Sequence, residues 1–267
     1  MKILLFGGTT EGRQLAAALA ALPGAALTVC VATPLGAEEL GGLPPAATVL
    51  TGRRDAAAMQ ALLADAQLCI DATHPYAALA TANIRAACAA AGVELLRAAR
   101  PQSDVAGTAA QGGVVRVESC AAAAAYLAGR CGNVLLATGA KELAAFAPLA
   151  GPEAGQPGGL CRLYARVLPT HESLAACEAL GLPHKNILAL QGPFSQKMNE
   201  AMLEQYGISW LVTKDGGGPG GFAQKLAAAQ NAGAALVLVG RPPEPGQGGE
   251  SVEDILHKVK ARLEGLE

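Results

Sequence analysis

The sequence predicts an α/β protein built from two doubly wound parallel sheets, and three observations carry that prediction. Short apolar runs rich in Val, Ile and Leu alternate with longer Ala/Leu-rich segments along the chain. The short runs are apolar at nearly every position rather than at every second one, as expected of strands covered on both faces. Glycine, threonine or charged residues follow most of these runs, at the strand ends where α/β sheets place their ligands.

In chain order, strands are expected at residues 2–6, 27–32, 48–51, 68–72 and 93–96, with helices at 11–22, 55–64 and 76–91 between them. Pro101, Gly107, Gly112 and Gly113 then break the rhythm, which marks 100–113 as a crossover or mobile loop. The rhythm resumes with strands at 114–117, 134–137, 160–167, 187–190, 210–213 and 235–239, and helices at 120–128, 141–147, 172–179, 196–206 and 221–232. Residues 151–159 and 241–249 read as Pro/Gly-rich surface loops, and 252–263 as a closing helix. Two domains of ordinary size follow, 1–112 and 113–267.

The composition narrows the function classes. A hydrophobic fraction of 51% against 16% charged residues supplies two cores, and with only 3% aromatics these must be filled by Ala and aliphatic side chains. A net charge of −2 provides no global field toward nucleic acid or an anionic membrane, so an anionic ligand must be met by local cations. The seven cysteines are odd in number and form no C-x-x-C pair, so they read as reduced, mostly buried thiols of a cytoplasmic protein. His74, His171, His184 and His257 show no metal-ligand spacing, and no metal is expected. No unbroken apolar run reaches the about 18 residues that cross a bilayer.

In the first half the informative strand ends are glycine- and hydroxyl-rich. Gly7-Gly8-Thr9-Thr10-Glu11-Gly12 follows the first strand and opens the first helix, where a dinucleotide diphosphate is held by helix N–H groups. Thr9 occupies the second glycine position of the usual G-x-G-x-x-G pattern, and a tight turn capped by threonine is the plainer reading. Thr33 ends the second strand with neither an acid for a ribose 2′-hydroxyl nor an arginine for a 2′-phosphate beside it. Asp71-Ala72-Thr73-His74-Pro75-Tyr76 ends the fourth strand and offers Thr73 to a coenzyme and His74 and Tyr76 as proton donors, or a helix cap and a structural histidine.

In the second half the strand ends are basic. Lys141, Arg166 and Lys214 stand at three of four strand ends, Lys225 lies one helical stretch beyond the last, and Gln191 and Ser195 flank a Gly-Pro turn at the fourth. Each cation alone is an ordinary surface residue; their shared edge reads as one anion site. Between Lys214 and Lys225 lie Asp215 and a turn in which Gly216, Gly217, Gly218, Gly220 and Gly221 surround Pro219. Glycines at a strand-to-helix junction let backbone N–H groups approach a carboxylate or phosphate.

Taken together these motifs resemble the precorrin-6A reductase family of cobalamin biosynthesis. The resemblance rests on the residues at 7–13, on Asp71 to Ala77, Arg100-Pro101, Ala137 to Gly139 with Lys141, Arg166-Val167-Leu168-Pro169, Gln191 to Ser195, and Thr213-Lys214-Asp215 with its glycines. It spans nearly the whole chain in order. It implies two Rossmann-like domains with the active site in the cleft between them, and exchanged last strands that would pair 235–239 with the other domain's sheet. It implies hydride transfer from NADPH or NADH to one C=C bond of precorrin-6A or its cobalt complex, with channelling of product to the next pathway enzyme.

On this resemblance Gly7, Gly8, Thr9, Thr10, Glu11, Gly12, Thr33 and Thr73 hold the coenzyme. Arg13, Lys141, Arg166, Gln191, Ser195, Lys214, Gly217 and Lys225 hold substrate carboxylates, and His74, Tyr76 and Asp215 are the proton-donor candidates. Relatives carry Ser where this chain has Gly216, which removes one hydroxyl. Two other readings share part of the pattern. A two-domain tetrapyrrole synthase or lyase needs the cations but no nicotinamide, and a non-enzymatic dinucleotide sensor needs the first glycine turn but not the cations.

Overall fold

The computed structural model describes residues 1–99, 113–150, 162–217, 221–241 and 249–265. The loops expected at 100–113, 151–159 and 241–249 fall almost wholly outside them, as do Arg100-Pro101, Cys161 and the tip of the second glycine turn at 218–220. The chain divides into two compact units, Met1–Arg100 with Pro243–Glu267, and Pro101–Pro242.

The first unit runs β1 (Lys2–Phe6), α1 (Thr10–Ala20), β2 (Ala26–Val31), α2 (Pro34–Glu39), β3 (Thr48–Thr51), α3 (Ala56–Leu63), β4 (Leu68–Asp71), α4 (Ala78–Ala91) and β5 (Leu95–Arg97). Its five strands are parallel in the order β3-β2-β1-β4-β5. Alternation along β1 explains the apolar run: Ile3 and Leu5 pack on the α1 side, and Leu4 and Phe6 on the α3 and α4 side. Thr9, Thr33 and Asp55 each accept an N–H from the first turn of the helix that follows, which fixes where α1, α2 and α3 begin. The six-residue α2 has no apolar period long enough to reveal it; its Thr-Pro start is the only sequence signal.

The second unit contains β6 (Val114–Val117), α5 (Cys120–Leu127), β7 (Asn133–Ala137), a 3₁₀ segment Ala140–Leu149, β8 (Arg162–Val167) and α6 (His171–Ala179). It continues with a short 3₁₀ turn His184–Asn186, β9 (Ile187–Ala189), α7 (Gln196–Gln205), β10 (Ile208–Lys214), α8 (Phe222–Asn231) and β11 (Ala235–Val239). Six parallel strands lie in the order β6-β11-β10-β7-β8-β9. One face is covered by α5, the long 3₁₀ segment and α6, the other by α7 and α8.

Two expectations about the end of the chain are corrected. β11 does not join the first unit's sheet: it pairs with β10 through Trp210↔Ala235 and with β6 through Leu236↔Val114. Its residues feed both cores of the second unit, Val237 and Val239 on one face and Leu236 and Leu238 on the other, so its place is between two strands. The segment that returns is the one after it. Glu250 forms a parallel bridge with Ala98, and α9 (Val252–Leu263) buries Ile255 and Val259 in the first unit's core beside Leu15 and Leu19. The second domain therefore does not extend to 267.

Candidate functional site

In the first unit the strand order reverses between β1 and β4, and the crevice for a ligand opens at their carboxyl ends. Thr9 links these two ends. Its Oγ1 accepts the Gly12 N–H at 3.1 Å and donates to the Ala72 carbonyl at 2.9 Å. The hydroxyl is thus spent on seating α1 against β4, and Thr9 is buried. Gly12 completes that seat: a Cβ there would lie 3.2 Å from Gly7 Cα and 3.3 Å from Ala72 Cβ. Glu11 is buried in the first turn, and Gly7, Gly8 and Thr10 remain as the less buried part of the turn.

Asp71 closes β4 with no exposed surface. Its Oδ1 accepts the Thr73 N–H at 2.9 Å and the Thr73 hydroxyl at 2.7 Å, and lies 2.7 Å from Arg97 Nη1. Arg97 Nη1 also reaches the Thr73 carbonyl at 3.1 Å, so the pair sets the course of the backbone into His74. His74 Nδ1 accepts the Tyr76 N–H at 3.3 Å, and the two rings are 5.5 Å apart. Thr33 is exposed and caps α2 by accepting the Gly36 N–H. The Gly52 N–H donates to the Val31 carbonyl at 2.9 Å, which sets the Arg53-Arg54 pair after β3 beside the end of β2. Arg13, expected among the substrate cations, is neutralised within this unit by Glu39 at 2.7 Å and bonds Thr10.

The second unit does not gather its cations into one cluster. Strand alternation divides them. On β8, Leu163, Ala165 and Val167 pack on the α5 and α6 face, so Arg166 faces α7 and α8. On β10, Val212 packs on the α5 face and Lys214 follows it there, meeting Glu142 at 3.1 Å. Burial, and then Glu142, push the Cys120 thiol on that face up to about 12. Thr138 follows β7 beside Lys214 and is 3% exposed, with no hydrogen-bond partner for its hydroxyl among the described residues. Lys141 is exposed at the start of the 3₁₀ segment.

The opposite face carries Arg166 and, on α8, Lys225. Arg166 is 7% exposed, and among the described residues no carboxylate pairs with it. Its Nη1 donates to Asn199 Oδ1 at 2.8 Å, its guanidinium lies 4.5 Å from the Phe194 ring centroid, and burial pushes it down to about 10. The half-buried Lys225, one turn into α8, is pushed down to about 8 by burial first and by the Arg166 charge second. Leu168 and Leu190 directly follow β8 and β9 and are 43% and 38% exposed. A buried guanidinium with a second cation near it and exposed aliphatic side chains suits an amphiphilic polyanion.

Asp215 is an anchor rather than a donor. It has no exposed surface, and its carboxylate lies 3.6 Å from Arg241 Nη2 and 3.7 Å from Arg116 Nη2. The Gly217 N–H, expected to meet substrate, donates to Asp215 Oδ1 at 3.3 Å, with Gly217 at φ +68°. The described part of the second glycine turn therefore points N–H groups inward. Ser195 caps α7 by accepting the Met198 N–H and Gln191 is exposed. Sequence reasoning missed Asn199, Arg97 and Arg241. The available signal was a charged residue ending an apolar strand opposite an aspartate, as Arg97 does opposite Asp71.

Two all-parallel units with ligand-type turns at their strand ends define a two-domain protein of the doubly wound, Rossmann-like class. The chain belongs to the family described as precorrin-6x reductase CbiJ/CobK, whose model matches residues 2–260. It is 33% identical over 247 residues to a cobalt-precorrin-6A reductase of Methanothermobacter thermautotrophicus, covering 91% of this chain and 77% of that one. It is 32% identical to a cobalt-precorrin-6A reductase of Priestia megaterium, over 96% of this chain and 97% of the relative. It is 30% identical to a precorrin-6A reductase of Rhodococcus erythropolis, over 95% and 94%. A solved structure of a CobK precorrin-6A reductase superposes with a TM-score of 0.74 at 26% identity, covering 97% of this chain and 96% of that one.

Proposed function

We propose that this chain reduces one C=C bond of the precorrin-6A macrocycle, or of its cobalt complex, with hydride from a nicotinamide coenzyme. The observation that carries the reading is Arg166: it is buried, no acid pairs with it among the described residues, and its charge helps to push the half-buried Lys225 ammonium down. A buried guanidinium without an acid is unfavourable unless a ligand brings the opposite sign. Substrate carboxylates supply it, and Leu168 and Leu190 offer aliphatic contact to the ring edge.

The coenzyme is assigned to the first unit, with its diphosphate at Gly7, Gly8 and Thr10 and its nicotinamide toward Thr73 and His74. No acid follows β2 to select a ribose 2′-hydroxyl, and Arg53 and Arg54 stand beside its end. That corner favours NADPH over NADH. When bound, the coenzyme supplies the hydride. The accompanying proton is assigned to His74 or Tyr76, since Asp215 is held by two arginines. Among the described residues no helix is long and apolar enough to cross a membrane, and a cytoplasmic location is part of the proposal.

The test is anaerobic incubation with precorrin-6A and, separately, cobalt-precorrin-6A, following loss of the reduced nicotinamide's near-ultraviolet absorbance with each coenzyme. Turnover of either substrate is expected, faster at low concentration with NADPH. No oxidation in any of the four combinations sinks the reading.

A further inference from the structure

Asn199 on α7 is 2% exposed, and its amide is fully engaged on both sides. Nδ2 donates to the Ser195 carbonyl at 2.8 Å and the Phe194 carbonyl at 3.4 Å, while Oδ1 accepts from Arg166 Nη1 at 2.8 Å. This orientation is forced: carbonyls only accept and a guanidinium only donates, so a flipped amide would lose every contact. The Phe194 ring on the guanidinium and Met202 Sδ at 3.9 Å from Nη1 complete the holding of Arg166. All of these contacts are electrically neutral.

They also leave one edge of the guanidinium over. Among the described residues the hydrogen bonds of Arg166 use Nη1. A carboxylate is gripped side-on by the parallel N–H groups of Nε and Nη2, the edge that none of these contacts occupies.

We propose that Asn199 is a positioning residue that holds Arg166 with its Nε/Nη2 edge presented to one substrate carboxylate, and that its neutrality keeps the guanidinium charge for that carboxylate. Aspartate is nearly the same shape and keeps the bond to Arg166, but it would neutralise the guanidinium and turn an acceptor toward the Ser195 and Phe194 carbonyls. The inference rests on the assignment of Arg166 to the tetrapyrrole. A purely structural Asn199, tying the start of α7 to β8, would make the same contacts, so the two roles must be separated by charge rather than by deletion.

The full chain is assayed with precorrin-6A and coenzyme as wild type, N199D, N199S and R166A. Loss of a charge-assisted contact predicts a KM for precorrin-6A raised about 10-fold or more in N199D with coenzyme KM unchanged, while the melting temperature falls in both N199D and N199S because each loses the amide N–H bonds to the Ser195 and Phe194 carbonyls. N199S, which keeps a neutral acceptor, should stay nearer wild type than N199D. A structural role predicts no selective rise: both variants would lose stability, with no larger KM for precorrin-6A in N199D than in N199S. N199D with wild-type KM, or N199S worse than N199D, overturns the role of Asn199. If N199D fails to fold, N199L decides: a folded N199L with unchanged KM overturns it too. R166A with unchanged KM instead overturns the assignment of Arg166 to substrate, whatever the Asn199 variants do.

Discussion

Asp71 and Asp215 hold the same post in the two sheets. Each stands at the end of a strand beside the point where strand order reverses, each is fully buried, and each meets an arginine carried by the next strand over. Arg97 ends β5 in register with Asp71, and Arg241 follows β11, the neighbour of β10. Neither aspartate is free to work on a ligand. Both shape the turn that does, through Thr73 in one unit and Gly217 in the other.

Removing one such partner strands its mate. Asp71→Ala leaves Arg97 buried without its acid, and loss of one member of a buried pair costs about 3–5 kcal/mol. Denaturant unfolding should show a loss of that order, partly recovered in an Asp71→Ala/Arg97→Leu double variant. A single variant as stable as wild type would show the pair to be dispensable.

The cations should separate by face. Arg166→Ala removes charge-assisted hydrogen bonds of about 1.5–3 kcal/mol, which predicts a KM for precorrin-6A about 10- to 100-fold higher. Lys214→Ala should change it little, because Lys214 already spends its charge on Glu142. Steady-state kinetics on both variants checks the contrast, with coenzyme KM unchanged in each.

Lys225 predicts a pH dependence with a definite sign. Its ammonium is pushed down to about 8, below its ordinary value, so between there and that value the unfolded chain holds more protons than the folded one. Its penalty on stability is fully present below about pH 8 and is relieved as pH rises toward the ordinary lysine range. Affinity for a carboxylate runs the other way and falls above about pH 8 as the charge is lost. Lys225→Arg should flatten the alkaline rise in KM for precorrin-6A and leave the coenzyme profile alone.

The seat of α1 is tight enough to report on itself. Gly12→Ala places a methyl group against Gly7 Cα and Ala72, and overpacking of this kind costs about 1–3 kcal/mol. Thr9→Val removes both a helix cap and the bond to Ala72. Both variants should raise coenzyme KM and lower the melting temperature, while equilibrium binding of precorrin-6A stays near wild type.

Strand positions were legible because buried parallel strands need unbroken apolar runs; β1 and β11 lie where the pattern puts them. Ligand edges were legible because the residues after each strand are the ones that depart from that pattern. Which face a strand-end side chain takes was not read, although alternation contains it. Lys214 and Arg166 were grouped by edge, and only the packing of Val212 and Ala165 sends them to opposite sides. Asn199 was invisible for a different reason. A polar residue in the first turn of an exposed-looking helix reads as solvated, and its partner lies 33 residues away on β8.

The return of the C-terminal segment has a consequence for biosynthesis. Every strand of the second unit has been translated once the ribosome passes Val239, whereas Ile255 and Val259, which fill the first unit's core, do not yet exist as peptide. The part of the protein that emerges first is therefore completed last, inverting the usual N-to-C order of domain maturation. While the second unit is being made, the nascent first unit carries an uncovered apolar flank along α1. That interval, rather than the finished enzyme, is when this chain most needs protection from its neighbours.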